Sequence, residues 1–380
     1  ATFIKYGIDK RIGMLVLSLS GTNIRRIVIG LLIGTSIPAA FIGEHAVAGM
    51  YLPIAVALFT LTSKDVNCPN LGKLLTLTIA FGCMIGGPMS PTGGARNAIM
   101  IGFLSDAGFD VSFVQWLSMG VSYTLFMIIV MSLILPLLFK PEVSDLSNAV
   151  SVLRSDLEKY GKMTFKQWLV IFIMAIVIFM WITDKTVIKN LFGFSLGLGG
   201  IAITGAVTYM LLGLTTWKDY EEGISWGVVV LYAGAISLGS VFKSTGAAGW
   251  LASSIIGLVE PLGMDSGIPL VVLVVLVGAS LTNLMSAGAT VAVIGPVIIG
   301  MAEASGTNPT LIGIALAIST SAAFWLVIGT PASSIVYSSG LLGAKDFMRG
   351  ATLAWPLALI VIISMILFYW MPILGINLSI

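Results

Sequence analysis

The first stretch with recognisable chemistry is FIGEHAVAGMYLPIAVAL (41–58), in which Glu44 and His45 interrupt an otherwise apolar run. His45 is the only histidine in the chain. Ionisable side chains inside an apolar membrane segment are costly, and they mark functional sites by default. A glutamate there can carry a proton or pair with a cation, and a histidine titrates near neutral pH. The two residues therefore predict a polar site within an apolar part of the protein.

A fixed positive charge occupies a second polar interruption, GGPMSPTGGARNAIM (86–100), where glycine, proline, serine and threonine break a long apolar helix. Arg96 does not deprotonate, and its planar fork meets a carboxylate or a sulfate through two hydrogen bonds. Asn97 follows directly and is placed to cap the second half of the broken helix. This stretch predicts a positive group at a helix break.

Hydroxyl-bearing and small residues interrupt two apolar runs in the second half of the chain. These interruptions are TNLMSAGAT (282–290) and VIGTPASSIVYSSG (327–340). In secondary transporters, half-helix ends and unwound carbonyls near the middle of the membrane hold the substrate and the coupling ion.

The composition identifies the elements that must position these residues. Of the 380 residues, 57% are hydrophobic and 9% are charged, and the mean hydropathy is +1.05, far outside the range of a soluble domain. Continuous apolar runs without a period of two predict membrane helices rather than the alternating strands of a barrel. Such runs lie near 114–139, 167–183, 194–214, 226–242 and 351–370. The predicted fold class is an all-α polytopic membrane protein.

Two apolar segments are expected to form re-entrant helical hairpins. The segments between Arg26 and Lys64 and over 267–302 are long for one span and short for two spans with a polar loop. A hairpin places its polar tip at membrane depth, where irregular backbone is tolerated only against protein or a water-filled cavity. Laying 42–53 on 285–296 brings the prolines of the two segments into register.

Flanking charge gives the two hairpins opposite directions. Because basic residues mark the cytoplasmic side, the first hairpin is expected to enter from the cytoplasm and the second from outside. A broken helix follows each hairpin, and 93–97 overlays on 329–333. An inverted repeat with two discontinuous helices is the architecture of secondary transporters. The flanking residues are Arg25, Arg26, Lys64 and Lys73 for the first hairpin, and Glu260, Asp265 and Glu303 for the second.

Three motifs carry a resemblance to a known family: LTNLMSAGATVAVIGPVI, FWLVIGTPASSIVYSSG and WGVVVLYAGAISLGSVFKSTGAAGWLA. They resemble the divalent anion/sodium symporter family of the ion transporter superfamily, from Ala1 to the C-terminus. The N-terminal scaffold helices that are usual in that family have no counterpart in this sequence. The resemblance implies sodium-coupled transport of di- or tricarboxylates or sulfate, an elevator-like movement, and a homodimer formed through scaffold helices.

Both hairpin tips depart from the family pattern, in which each tip carries Ser-Asn-Thr and each broken helix a Thr-Pro-Pro-Asn-like turn. The first tip reads Gly43-Glu44-His45, and the second keeps only the serine, Ser286. By its match to the family's second sodium site, the second half retains a place for Na⁺, centred on Thr282 and Ser286. The candidate ion-binding residues are Thr282, Ser286, Gly329 and Thr330.

The first broken helix keeps the family's asparagine but has Arg96 in place of the second proline. Because the repeat brings Arg96 and Glu44 together, we expect a salt bridge between them that replaces the first sodium site, with His45 donating to a substrate oxygen. Proton coupling through Glu44 and His45 is an open alternative. The candidate substrate-binding residues are Glu44, His45, Arg96, Asn97, Ser286, Gly288, Thr330 and Pro331.

The function predicted from these patterns is secondary transport of a small anion across the lipid bilayer of a prokaryotic plasma membrane, with Na⁺ as coupling ion and no cofactor. Alternatives are a proton-coupled anion carrier, an anion exchanger, or a cation/proton antiporter that uses Glu44. An enzyme is not expected, because the chain has no GxSxG or HExxH motif and one histidine cannot build a histidine-rich metal site. A net charge of +2 without a long basic run excludes a nucleic-acid partner.

Five units are predicted along the chain. They are an interfacial arm helix over 1–23, a first-repeat transport unit over 24–105, scaffold-type spans with a cytoplasmic connector and a second arm over 106–265, a second-repeat transport unit over 266–340, and a C-terminal transmembrane helix over 341–380.

Overall fold

The computed structural model describes residues 2–159, 161–224 and 226–379, and every regular element in these residues is a helix. Residues 1 and 380, which bound the predicted units, lie outside the described residues. The α-helices are α1 (Thr2–Lys5), α2 (Ile8–Ser20), α3 (Ile24–Ile42), α4 (Glu44–Ser63), α5 (Pro69–Gly86), α6 (Ala95–Asp106), α7 (Phe113–Leu138), α8 (Ser147–Lys159), α9 (Phe165–Thr183), α10 (Lys189–Phe192), α11 (Gly197–Leu211), α12 (Trp217–Gly223), α13 (Trp226–Ser244), α14 (Ala247–Val259), α15 (Gly267–Leu281), α16 (Ala287–Ser305), α17 (Pro309–Ser319), α18 (Pro331–Tyr337) and α19 (Ala344–Met365).

Seven helices in the described part of the chain are long and apolar enough to cross a membrane, and α14 and α15 form a further pair bent by 112°. This confirms the predicted class of an all-α polytopic membrane protein. The apolar runs read from the sequence lie on α7, α9, α11, α13 and α19. The seven spans are Ile24–Ile42, Glu44–Ser63, Pro69–Met89, Phe113–Leu138, Phe165–Leu191, Ala287–Ser305 and Ala344–Trp370.

A single residue, Gly43, joins the two helices of the first hairpin, α3 and α4. Its φ of 98° lies in the region that favours glycine, so a side chain there would be strained. Each helix alone passes the length and composition test for a span, so length does not by itself make the hairpin re-entrant. The evidence for re-entry is the one-residue tip, which leaves no room for a polar loop and carries the buried Glu44.

Hydrogen bonds collect several helix ends at one end of the molecule, here called the inner end. The amide of Ile24, at the start of α3, donates to the carbonyl of Ser144 at 3.0 Å. The amide of Asn70, in α5, donates to the Glu142 carboxylate at 2.9 Å. The Lys73 ammonium is 2.9 Å from the Asp346 carboxylate of α19. The open end of the first hairpin and the start of α19 therefore share the inner end.

The open end of the second hairpin lies at the other end of α19, here called the outer end. The amide of Gly267, at the start of α15, donates to the hydroxyl of Thr307 at 3.0 Å. The amide of Asn308 donates to the carbonyl of Leu378, beyond the C-terminal end of α19, at 2.8 Å. Opposite ends of one long helix thus hold the open ends of the two hairpins, the arrangement that the predicted inverted repeat requires.

The short half of each broken helix packs against the hairpin of the other repeat. Helix α6, after the first break, packs against α16 and α17, while α18, after the second break, packs against α4 and α5. The helices also begin at the overlaid positions: α4 at Glu44 and α16 at Ala287, and α6 at Ala95 and α18 at Pro331. This exchange brings the polar residues of both halves to the middle of the protein.

Two separate hydrophobic cores surround this arrangement. The larger core includes side chains from both hairpins, both broken helices, α7 and α19. The smaller core is built on α9 and α11. The ring of Phe113, at the start of α7, joins it by stacking on that of Trp181, with centroids 5.5 Å apart. The two cores divide the hairpins and broken helices from the α9–α11 pair, which we call the scaffold pair.

The connector between α7 and α9 is docked rather than free. Its helix α8 packs against α2 and α4, and Arg154 donates to the carbonyl of Ser18 at 2.5 Å. The Thr22 hydroxyl donates to Asp145 at 2.6 Å, and this bond, with the Ser147 amide, lowers the pKa of Asp145. The connector therefore holds α2 and the first hairpin together at the inner end.

Candidate functional site

The predicted salt bridge between the first hairpin and the first broken helix is present. Arg96 Nη2 donates to Glu44 Oε1 at 2.6 Å, and the two side chains are only 3% and 8% exposed. Glu44 is the first residue of α4, and Arg96 is in the first turn of α6. A buried carboxylate and a buried guanidinium must stay together, because removal of either leaves an uncompensated charge in a medium of low dielectric constant.

Gly87 provides the space that this pair occupies. A Cβ at position 87 would overlap Glu44 Oε1 and would lie 2.5 Å from Arg96 Nη2 and 2.9 Å from Glu44 Cδ. Any side chain at 87 would therefore force the two charged groups apart. Sequence reasoning did not single out Gly87, and its only signal is the Gly86-Gly87 pair just before the break.

Asn97 fixes the geometry of the same break. Its side-chain amide donates to the carbonyls of Gly87 at 2.9 Å and Ser90 at 2.7 Å. Among the described residues, Asn97 Oδ1 and Arg96 Nε are buried without a hydrogen-bond partner. Unpaired buried polar atoms are rare and mark places where a functional ligand or an ordered water is expected. The break thus offers one unused donor and one unused acceptor beside the ion pair.

His45 is not part of this ion pair. Its side chain is exposed at the hairpin tip, whereas that of Glu44 is buried. The salt bridge does not include it. The idea that His45 donates to a substrate oxygen stays a prediction.

The tip of the second hairpin is tied to the second break through two side chains. The Thr282 hydroxyl donates to the carbonyl of Thr320 at 2.8 Å. Asn283 Nδ2 donates to the carbonyl of Ala322 at 3.2 Å, and Asn283 Oδ1 accepts from the amide of Trp325 at 3.0 Å. Asn283 was not among the predicted residues, although an amide beside a tip is a plain signal. The loop of this tip is therefore hydrogen-bonded to the second break.

Backbone carbonyls converge at Gly329, next to the predicted ion site. A Cβ on Gly329 would lie 3.0 Å from the carbonyl oxygen of Ala323 and 3.5 Å from that of Thr282. Ser286 caps α16 by accepting from the amide of Ala289 at 3.3 Å, and its side chain is exposed. Neutral oxygens on unwound backbone are the ligands that hold Na⁺ in transporters with broken helices.

The remaining predicted residues lie at the second break and at the start of α16. Thr330 is buried and caps α18, with its hydroxyl accepting from the amide of Ser333 at 3.3 Å. Pro331, the first residue of α18, is exposed. Gly288 is half-buried in the first turn of α16. The predicted residues thus form two groups, one around the Arg96–Glu44 pair of the first repeat and one at the tip and break of the second.

Helix α7 links these two groups. The Tyr123 hydroxyl is 2.9 Å from that of Ser321 in the second break. On the same helix, the Trp116 indole and the Thr124 hydroxyl donate to the carbonyls of Pro88 and Ile85 at the first break, at 3.0 and 2.8 Å. Ser321 directly follows Thr320, whose carbonyl accepts from the tip of the second hairpin. Sequence reasoning missed Tyr123 because a tyrosine in an apolar span more often serves for packing.

A cavity of about 1090 Å³ lies between α6 and the scaffold pair. It follows one face of α6 outward from Gly94, and Asp110 and Lys185, 3.5 Å apart, stand at its outer rim. Gly94 is the N-cap of α6 and offers no side-chain cap to the first amides. The residues along its walls include Thr92, Gly94, Ala95, Ala98, Ile101, Gly102, Ser105, Trp181, Gly197, Leu198 and Ala202.

The guanidinium of Arg96 lies directly behind the end of this cavity that is next to Gly94. A Cβ on Gly94 would be 3.5 Å from Arg96 Cζ and 3.7 Å from Nη1 and Nη2. Arg96 is therefore separated from the cavity by a residue without a side chain. Its charge, with the uncapped amides of α6, makes the part of the cavity next to Gly94 attractive to an anion.

Comparison with known proteins shows the family of this chain. Residues 1–376 match the sodium:sulfate symporter transmembrane-region family. The chain belongs to this family. It is a secondary transporter of anions and not an enzyme, and its helices make it a multi-pass integral membrane protein.

Individual relatives of this transporter are bacterial, which fits a plasma-membrane location. The sodium-dependent dicarboxylate transporter SdcS of Staphylococcus saprophyticus is 26% identical over 396 residues, which cover 99% of this chain and 75% of the relative. SdcS of Staphylococcus aureus strain USA300 is 24% identical over 397 residues, with the same coverage of 99% and 75%.

A solved structure shares the fold of the transporter. Neisseria gonorrhoeae MtrF, associated with a class of antimetabolite efflux pumps, matches with a TM-score of 0.61 and 14% identity, over 97% of this chain and 79% of MtrF. At this identity the likeness concerns the fold alone.

Proposed function

We propose that this transporter carries a small dianion, of the di- or tricarboxylate or sulfate class, together with sodium by an elevator-like movement. The observation that supports this most is the position of Arg96. It is buried behind Gly94, at one end of a cavity that follows α6 from Gly94 toward the outer end of the molecule. The two SdcS relatives are sodium-dependent dicarboxylate transporters by name, so a dicarboxylate is the first substrate to test.

The anion is proposed to bind at the start of α6. The first amides of this helix point toward its N-terminus, carry the positive end of the helix dipole, and meet no side-chain cap. At the other break, Thr330 already caps α18. A dianion at the end of the cavity next to Gly94 therefore meets the uncapped N-terminus of α6 and the field of Arg96, which together favour negative charge.

Sodium is proposed to bind at the second repeat, among Thr282, Ser286, Gly329 and Thr330. The carbonyl oxygens that face Gly329 come from the hairpin tip and from the break, so a bound cation would draw these two elements together. Such a cation supplies positive charge only while it is bound. Sodium binding favours the form in which these carbonyl oxygens lie close together. If the same form binds the anion, each ligand favours binding of the other, and their transport is coupled.

The movement is proposed to occur between the two hydrophobic cores. The predicted transport units, 24–105 and 266–340, contribute to the larger core, and the scaffold pair builds the smaller one. Because the cavity lies between them, sliding of the transport units along the scaffold pair would expose the anion site to the other side. A homodimer through the scaffold helices stays a prediction. Cation/proton exchange is less favoured, because Glu44 is held by Arg96 at 2.6 Å.

The proposal is tested by uptake of labelled succinate and, separately, labelled sulfate into proteoliposomes. We expect an inward sodium gradient to raise uptake of at least one of these anions well above that driven by a matched potassium gradient. Uptake driven equally by either cation, or by a pH gradient instead, would contradict sodium coupling. If neither anion entered while a cation/proton exchange was measured, the anion proposal itself would be wrong.

Filling the cavity is expected to block transport. Ala202 and Ile203 of α11 are both exposed, but only Ala202 lines the cavity. We expect Ala202→Trp to lower anion uptake by about tenfold or more, because the indole occupies the anion's path, equivalent to about 1.4 kcal/mol. Ile203→Trp is the matched control and should transport like wild type. Equal uptake by both variants would exclude the cavity as the route.

A further inference from the structure

We infer that the Glu44–Arg96 pair takes the place of a coupling cation in the first repeat, so that one sodium ion, bound in the second repeat, moves with each anion. This rests on the proposed function, which assigns the anion and sodium sites. It also explains why the two repeats of one chain differ in charge, and it predicts the number of sodium ions that move with each anion.

The two repeats carry different residues at matching positions. Glu44 begins α4 and corresponds to Ala287, which begins α16. Arg96, in the first turn of α6, corresponds to Ala332 in the first turn of α18. The first repeat thus has a carboxylate and a guanidinium where the second has two buried methyl groups. Both charges are confined to one repeat, and they contact each other.

The backbone of the first repeat is adapted to hold this pair. The register that lays Gly93 on Gly329 also lays Gly87 on Ala323. Gly87 has no Cβ, and the carboxylate and guanidinium occupy the space that a Cβ would need. In the second repeat the methyl of Ala323 stands there, and the Ala323 carbonyl faces Gly329. The space beside the break therefore holds two fixed charges in the first repeat and neutral carbonyl oxygens in the second.

The orientation of the pair gives it the effect of a bound cation. The three atoms nearest a Cβ on Gly94 all belong to the Arg96 guanidinium, whereas the atom nearest a Cβ on Gly87 belongs to the Glu44 carboxylate. The positive end therefore faces the anion site, and it stays there because arginine does not deprotonate. A sodium ion brought to the same region would be repelled by Arg96 and would find the carboxylate already occupied.

The inference is tested by measuring the ratio of ²²Na⁺ to labelled succinate taken up by proteoliposomes of the wild-type protein. We expect one sodium ion per succinate, and we expect Ser286→Ala to raise the half-saturating sodium concentration. Ser280→Ala, at an exposed serine of α15, is the control. Two or more sodium ions per succinate would overturn the inference. Succinate uptake without sodium would overturn the sodium part of the proposed function and the inference with it, whereas the absence of any anion uptake would overturn the proposed function.

Two variants separate a fixed charge from a merely structural contact. Arg96→Lys keeps the positive charge, and we expect it to retain succinate uptake with the same sodium ratio. Glu44→Gln/Arg96→Gln removes both charges without leaving one unpaired; it should fold, as judged by its melting temperature, yet lose affinity for succinate by about tenfold or more. If the double variant bound and transported succinate like wild type, the pair would be structural only, and the inference would be wrong.

Discussion

Arg96→Ala is expected to abolish anion uptake and to lower the stability of the purified transporter. The substitution leaves the Glu44 carboxylate, 8% exposed in the folded protein, without its only ion-pair partner in the described residues. Breaking a buried ion pair from one side costs about 3–5 kcal/mol. It also removes the positive group behind Gly94, so the cavity loses its attraction for an anion. Thermal unfolding in detergent and succinate uptake in proteoliposomes measure the two effects.

The control for this prediction is Glu44→Gln/Arg96→Gln, which removes both charges together. Because neither charge is then left buried alone, the double variant should melt at a higher temperature than Arg96→Ala. Equal melting temperatures for Arg96→Ala and wild type would show that the carboxylate is solvated in the membrane protein, contrary to its burial in the structure.

Gly93→Ala is expected to have the second large effect, through packing alone. A Cβ on Gly93 would overlap the carbonyl oxygen of Gly87 and would lie 2.9 Å from the Cα and 3.0 Å from the carbonyl oxygen of Ala40. All three atoms belong to the backbone, so no side chain can rotate away. Overpacking of this kind costs about 1–3 kcal/mol or more, and relief would require the first hairpin and its broken helix to separate. We expect a lower melting temperature and loss of uptake.

The neighbouring glycine supplies the matched control. A Cβ on Gly94 would meet Arg96 Cζ at 3.5 Å, an ordinary van der Waals distance, and the backbone there is extended with φ −165°. Gly94→Ala should therefore melt like wild type, with any loss of uptake confined to a weaker anion affinity. If Gly93→Ala and Gly94→Ala had the same melting temperature, the close contact of Gly93 with Ala40 would be wrong.

The sequence predicted the elements of this protein and one contact of its site. Its apolar runs lie on the observed helices α7, α9, α11, α13 and α19, because a membrane helix must be continuously apolar. Glu44 and Arg96 were expected to pair because two opposite charges in an apolar chain have few other ways to be neutralised. The overlay of the two halves also holds at the starts of four helices, since tip and break residues are set by local backbone chemistry.

Other features of the site were open to sequence reasoning only in part. His45 follows Glu44 directly, yet its side chain is exposed while that of Glu44 is buried, because successive residues of a helix point in directions about 100° apart. Gly87 could not be singled out from the sequence, since a glycine in a glycine-rich chain carries no information about which atoms occupy the space of its missing side chain. Length alone did not establish the re-entrant hairpin either.

The tertiary structure alone decided where these groups stand relative to solvent and to each other. Arg96 lies behind Gly94 and not in the cavity, which follows from how α6 packs on α16 and α17. Helix α7 joins the two repeats because it passes both breaks, with Trp116 bonded to the first and Tyr123 to the second. The cavity exists because the scaffold pair has its own core. The sequence determined the hairpins, the breaks and the charges, because these depend on residues near one another in the chain. The cavity and the direction of each charge depend on contacts between helices far apart in sequence, and those arise only when the helices pack.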